Sequence, residues 1–417
     1  MKGPVLQRLS LRNILSFGPD GETVELGSLN VLIGPNGSGK SNLLETIGLL
    51  KSTPNDLAEA IAQSGGAEYW LWQGEGGQGK NASIEAILEY PRGRMPLRYQ
   101  LEFAADSYGM ARIVNERIEN EHAEPGHDRP FFYFGYENGI PRISVPGDAT
   151  EAEDSLVGLR ERAAEYGGGK RLELKRDSLD PSLSVLAQRQ GEEMYPELTY
   201  VSEIFSKIKL YREWWMGRQT SPRMAQRADL RREFLEESAA NLVLVLNHLK
   251  LERNVKRQIL DYLQRFNDKI VGFEVDISGG NAQLFIEEQG LRGALPATRL
   301  SDGTLRYLCL LTILLHPSPP PLLCIEEPEL GLHPDIMETL GELLLGAAQR
   351  TQLIITTHSD ALVDALTTAP EAVLVCERGP DGGTHFQRLS EERLHDWLQE
   401  YRLGELWRKG ELGGNPW

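Results

Sequence analysis

Cysteine is scarce in this 417-residue sequence: Cys309, Cys324 and Cys376 are the only three, each in an apolar stretch and none at metal-ligand spacing. Disulfide scaffolds and zinc sites are thereby excluded, and buried thiols are expected. No apolar run reaches the eighteen or so residues that cross a bilayer. The opening MKGPVLQRLSLRN carries no apolar core of a secretory signal. A cytosolic protein with no membrane contact is the expectation. Positive charge is also short, with 44 Lys and Arg against 61 Asp and Glu and a net charge of −17. That balance excludes a surface that grips nucleic acid throughout, because phosphate contact needs a basic footprint; a local patch stays open. Internal repeats are missing, as is any heptad run long enough for a coiled coil.

Glycine, by contrast, is plentiful at 42 residues, and Leu29 to Ser41, LNVLIGPNGSGKS, uses it at fixed spacing. The stretch fits G-x-x-x-x-G-K-[ST] with Gly34, Gly39, Lys40 and Ser41. Val31, Leu32 and Ile33 precede it and LLETIGLL follows, so the order is strand, glycine loop, helix. Glycines let backbone N–H groups curl around phosphate oxygens, and the next helix aims its positive dipole end at them. Asn36, Gly37, Ser38, Gly39, Lys40 and Ser41 are therefore candidate contacts for ATP. Lys40 is placed to bridge the β- and γ-phosphates and Ser41 to offer its hydroxyl to Mg²⁺.

Elsewhere the pattern is mixed. Val5 to Leu26 reads as two antiparallel strands, and SIEAILEY, PLRYQLEFA and ARIVNERIE as a meander broken at Pro91, Gly93 and Gly109. Glu151 to Tyr166 reads as a helix stopped by Gly167 to Gly169. Helical faces follow at Val201, Ile204, Phe205 and Ile208, and at Leu235, Leu242, Val243, Leu246 and Leu249. GFEVDIS and AQLFIEE form a hairpin around Gly279 and Gly280. Strand and helix then alternate again.

In this last third, the apolar run Leu322 to Ile325 leads straight into Glu326 and Glu327. Carboxylates at a strand tip suit Mg²⁺ and water activation, with Glu326 on the metal and Glu327 orienting or deprotonating the attacking water. A second apolar run, Gln352 to Thr356, ends in Thr357, His358 and Ser359, which puts His358 within reach of a γ-phosphate.

Together, GPNGSGKS, LSDGT at Leu300 to Thr304, CIEEPELGLHP and TTHS resemble the P-loop, signature, Walker B with D-loop, and switch histidine of ABC-type ATPases. The layout is similar to the RecF and SMC-like branch, and within it to short predicted ATPases grouped with overcoming-lysogenization-defect proteins but carrying no fused nuclease. The resemblance implies an α/β P-loop fold of SMC-head type with an antiparallel β subdomain, a helical lobe and no long coiled coil. Its parts would be residues 1–180, a helical lobe with hairpin over 181–295, and the rest of the ATPase core over 296–417. It further implies a head that completes its ATP site with a second copy, Ser301 and Gly303 touching the γ-phosphate in trans, in a homodimer or higher even oligomer. Asp302 and Thr304 depart from LSGGQ, Glu326 replaces the usual Walker B aspartate, and His333 stands at a D-loop aspartate position. The Q-loop glutamine that would join the metal site is assigned to Gln188, with Gln190 as the alternative.

Lys207 to Arg232 holds eight basic residues against two acidic ones, around Trp214 and Trp215. Such a stretch either grips DNA phosphates and stacks on bases or is a solvated face that pairs with the protein's own acids, the commoner outcome. The ending LGELWRKGELGGNPW either docks a partner or covers the core. Three functions follow: an ATP-driven switch on DNA in genome maintenance or phage defence, a switch for a separately encoded toxin or nuclease effector, and the disfavoured transporter subunit.

Overall fold

Along the parallel strands of this protein, side chains alternate between two cores. The computed structural model describes residues 3–76, 80–146, 160–161, 169–174 and 178–414. Val31 and Ile33 point into one core and Leu32 into the other; Leu323 and Ile325 oppose Leu322 and Cys324 in the same way. A strand buried on both faces needs this unbroken apolar run, and the period of two decides which neighbour each residue meets. All five residues of Leu29–Ile33 and of Gln352–Thr356 are buried.

The resulting six-stranded sheet runs in the order Lys209–Tyr211, Leu322–Glu326, Gln352–Thr356, Leu29–Ile33, Val373–Arg378 and Thr384–Arg388. The first five strands are parallel and the last is antiparallel. One face carries the P-loop helix Lys40–Ser52 through Leu43, Leu44, Ile47 and Leu50. The other carries the signature helix Asp302–Leu314 through Leu305, Leu308 and Leu311. Parallel strands set their tips at one edge, so residues following Ile33, Ile325 and Thr356 converge there.

Beyond the P-loop helix lies a nine-stranded antiparallel sheet that begins with the expected pair Leu6–Arg12 and Glu22–Glu25. The meander follows as Ala82–Leu88, Leu97–Ala105 and Ala111–Asn120 and is extended by Phe132–Glu137, Ile140–Pro146 and Gly169–Glu173. Of the helix expected over Glu151–Tyr166, all lies outside the described residues except Arg160–Glu161, which pair as a strand with Gly169–Glu173. The helices Pro196–Ser206, Leu242–Leu249 and Arg253–Phe266 precede the hairpin Ile270–Ser278 and Asn281–Glu288. Gly279 and Gly280 both take positive φ, 56° and 77°, as a two-residue turn of matching twist demands. Arg253–Phe266, at 14 residues, is the longest helix among the described residues, and none is long and apolar enough to cross a membrane.

The ending folds back on the core. Trp407 is fully buried and its Nε1 donates to the Gly414 carbonyl at 2.7 Å. A Cβ on Gly414 would stand 3.3 Å from Gly34 Cα, so this segment lies directly behind the P-loop. Residues 415–417, Trp417 among them, lie outside the described residues.

Candidate nucleotide site

Gly34 and Gly39 are glycines for one reason, close approach to the last two strands. A Cβ on Gly34 would fall 2.1 Å from the Cys376 carbonyl oxygen, and one on Gly39 would fall 2.1 Å from Thr384 Oγ1; both have positive φ, 145° and 111°. The loop is thus clamped from behind, with Thr384 Oγ1 donating to the Ser38 carbonyl at 2.7 Å and Arg378 Nε to that of Gly37 at 2.9 Å. Lys40 opens the helix and is almost fully buried, its ammonium donating to the Gly34 and Pro35 carbonyls at 2.7 and 3.0 Å. Burial lowers its pKa, while the neighbouring Glu327 and Glu326 push it back up.

A cavity of about 180 Å³ opens here, lined by Asn36, Gly37, Gly39, Lys40, Ser41, Asn42, Glu327, Thr356, His358 and Arg378. Two cations, Lys40 and Arg378, and a helix N-terminus make a donor set suited to phosphate, while the Ser38 Oγ is buried beside the loop without a hydrogen-bond partner among the described residues. The Ser41 hydroxyl donates to Glu326 Oε1, which puts two hard oxygens side by side. No cluster of three or more His, Cys, Asp or Glu fit to hold a metal exists among the described residues. One hydroxyl and one carboxylate suit Mg²⁺, which keeps its other ligands as water and phosphate.

Glu326 ends its strand and Glu327 turns away from it at φ 45°, a left-handed conformation that is uncommon for a residue with a side chain. Its N–H donates to the Thr356 carbonyl at 3.0 Å, and Oε1 stands 3.7 Å from His358 Nε2. Burial lowers the His358 pKa, Lys40 lowers it further and Glu327 opposes both. The switch loop is held by Glu329, whose Oε1 accepts from Thr357 Oγ1 at 2.6 Å and from the His358 N–H at 2.8 Å. Burial raises the Glu329 pKa, and its other oxygen is buried without a hydrogen-bond partner among the described residues.

The signature motif lies apart from this cavity. Ser301 is the N-cap of its helix, Oγ accepting from the Thr304 N–H at 3.1 Å. Gly303 packs on the D-loop, where a Cβ would meet the Gly331 carbonyl at 2.7 Å. Neither Ser301 nor Gly303 lines the cavity of its own chain.

The family whose model matches residues 29–364 is described as "AAA domain, putative AbiEii toxin, Type IV TA system". The chain belongs to this family. In three dimensions the AAA-domain chain resembles an SMC head bound to the C-winged helix domain of ScpA, at TM-score 0.55 and 13% identity over 94% of this chain and 99% of that one. It also resembles an Smc head of Pyrococcus furiosus with an extended coiled coil bound to the C-terminal domain of ScpA (0.56, 12%, 95% and 99%). An Smc head of Pyrococcus yayanosii gives 0.50 at 11% identity, covering 95% of this chain and 99% of that one. At such identities the likeness is one of fold, and it bears out the α/β SMC-head architecture. No curated protein matches the sequence.

For this AAA-domain chain the structure brings Asn36, Gly37, Gly39, Lys40, Ser41, Glu327 and His358 to one cavity, with Glu326 bonded to Ser41 and Ser38 clamped from behind. Gln188 is not brought there. Its short helix is pinned to the antiparallel sheet by Glu116, which accepts from Ser184 Oγ at 2.5 Å and the Val185 N–H at 2.8 Å. The Gln188 amide is spent on the Leu183 carbonyl at 2.8 Å and the Asp180 N–H at 2.7 Å. Gln190 is tied to the Leu186 carbonyl at 2.8 Å. Register instead brings the segment that follows Tyr211 alongside the end of the Glu326 strand, since Tyr211 pairs with Ile325.

The basic stretch is not one open face either. Arg223 is buried; Lys207 pairs with Glu203 at 3.2 Å, Arg212 with Glu45 at 3.6 Å and Arg227 with Asp229 at 2.5 Å. Trp214 is partly buried against the core and only Trp215, 75% exposed, resembles a stacking platform. His333 caps the turn Pro334–Ile336, its Nδ1 accepting from the Asp335 N–H. Sequence reasoning missed Arg378 and Glu329; the last glutamate of EEPE was the available signal for Glu329, and nothing local marked Arg378.

Proposed function

We propose that the protein binds ATP with Mg²⁺ at this cavity, hydrolyses it, and alternates between separate and paired heads as it does so. The observation that carries the reading is the division of labour: Lys40, Ser41, Glu326, Glu327 and His358 gather in one chain, while Ser301 and Gly303 present a helix N-terminus elsewhere. Lys40 and the loop N–H groups would hold the β- and γ-phosphates, and Ser41 with Glu326 would hold Mg²⁺, which would supply neutralisation of phosphate charge. Glu327 takes a proton from the attacking water as its oxygen bonds to the γ-phosphorus and ADP departs. His358, beside Glu327 at 3.7 Å and lining the same cavity, is placed to offer a hydrogen bond to the transferring group. Ser301 of a second copy completes the site.

Between the two biological settings, the pairing of basic side chains within the chain favours a switch for a separately encoded effector over a DNA-bound one. The family description, with its toxin–antitoxin term, agrees. The Pyrococcus furiosus Smc head shows that a head of this fold can carry another protein.

Ser301→Arg tests the pairing. A bulky cation at the signature blocks closure against Lys40 and Mg²⁺, so ATP binding to the single head stays near normal while hydrolysis and, in a Glu327→Gln background, ATP-dependent association are lost. Sedimentation and a distance probe across the interface read the association. Normal hydrolysis by Ser301→Arg rejects the trans-completed site.

A further inference from the structure

The signature loop carries a residue that opposes its role. Asp302, first residue of the helix, is 74% exposed at its side chain beside Ser301, so a carboxylate stands where a γ-phosphate is to land. A negative charge at this position stabilises its own helix but repels an incoming anion. The chain answers with Arg223, from a loop 79 positions earlier. Its guanidinium, with only 7% of the side chain exposed, donates from Nη2 to Asp302 Oδ1, from Nη1 to the Leu300 carbonyl and from Nε to the Met216 carbonyl at 2.6 Å. Arg306, one turn further along the helix, donates to the Trp214 carbonyl at 3.2 Å and so braces the same loop from the other side.

Resting on the paired-head reading above, we propose that Arg223 is a positioning residue that neutralises Asp302 and fixes the Leu300–Asp302 turn, so that the signature can receive the γ-phosphate of ATP held by a second copy. Arg223 and Asp302 act as one unit: the arginine is needed because the aspartate is there. A role confined to packing makes a different statement, since the carbonyls of Met216 and Leu300 lose their donor whatever stands at position 302.

The test uses the full chain in a Glu327→Gln background, with ATP-dependent association followed by sedimentation and ATP binding by a fluorescent analogue. Arg223→Met is expected to weaken association by roughly tenfold or more, as an uncompensated like charge meets phosphate, with ATP binding to the single head unchanged. Adding Asp302→Asn to it should restore most of the association. Equal weakness in the double variant, or no effect of Arg223→Met, overturns the proposal. Asp302→Asn alone keeps Arg223 in place and covers the case in which Arg223→Met does not fold; it should associate as tightly as the parent or more so, most visibly at low salt, and weaker association overturns the proposal. Ser301→Arg, run alongside, separates the two failures. If Ser301→Arg abolishes association and Asp302→Asn fails to rescue, only the role of Arg223 falls; if Ser301→Arg associates like its parent, head pairing falls and the proposal with it.

Discussion

Lys40–Ser52 and Asp302–Leu314 are both helices of 13 residues that start beside a glycine, yet their first turns are treated in opposite ways. The P-loop helix has no side-chain cap and no acidic residue in its first turn. The signature helix has both, Ser301 bonding the Thr304 N–H and Asp302 following. A cap is worth about 1 kcal/mol to a helix, and an anion at the N-terminus supplies the same hydrogen bonds. The first helix offers phosphate an uncapped end, whereas in the second the Ser301 side chain takes up the Thr304 N–H. One end is open and the other is capped.

The largest effect that separates them is expected from Lys40→Ala. Loss of the ammonium leaves β/γ-phosphate charge uncompensated, so ATP affinity should fall by about 10²-fold or more. Titration with a fluorescent ATP analogue measures it, and unchanged affinity breaks the assignment of the first helix. Glu327→Gln follows, with binding kept and turnover reduced by roughly 10²-fold or more on removal of a positioned base. Phosphate release under saturating ATP checks this; near-normal turnover moves the base to another residue. The smallest effect sharpens the contrast. Ser301→Ala removes the cap and should cost about 1 kcal/mol of stability in urea unfolding without nucleotide, while Asn42→Ala, in the uncapped first turn of the P-loop helix, should cost clearly less. Equal costs would show that the two helix ends do not differ as described.

What could be read from the sequence was whatever short spacing encodes. Gly34 to Ser41, Glu326 with Glu327, and His358 each follow an apolar strand directly, and parallel strands necessarily bring their tips together. The hairpin at Gly279 and Gly280 was equally plain, because a two-residue turn with both φ values positive asks for glycine. Gln188 misled because residue type was weighed without register: only the pairing of Tyr211 with Ile325 shows which segment borders Glu326. The basic stretch left two readings open because net charge does not reveal partners, and the pairs that form agree with the commoner one. Arg223 finds its own at Asp302, and Arg212 at Glu45, across distances in sequence that no local pattern reports.

The central position of Leu29–Ile33 carries a consequence for how the protein comes into being. Both neighbours of this strand, Gln352–Thr356 and Val373–Arg378, lie far downstream of it in the sequence and are synthesised long after it. Until then it is an apolar strand with two open edges, the kind of segment that pairs with whatever it meets. The sheet that carries the phosphate loop therefore closes around this strand only after both distant segments have been made, and a chain that stops short of them lacks the Thr356, His358 and Arg378 side of the cavity.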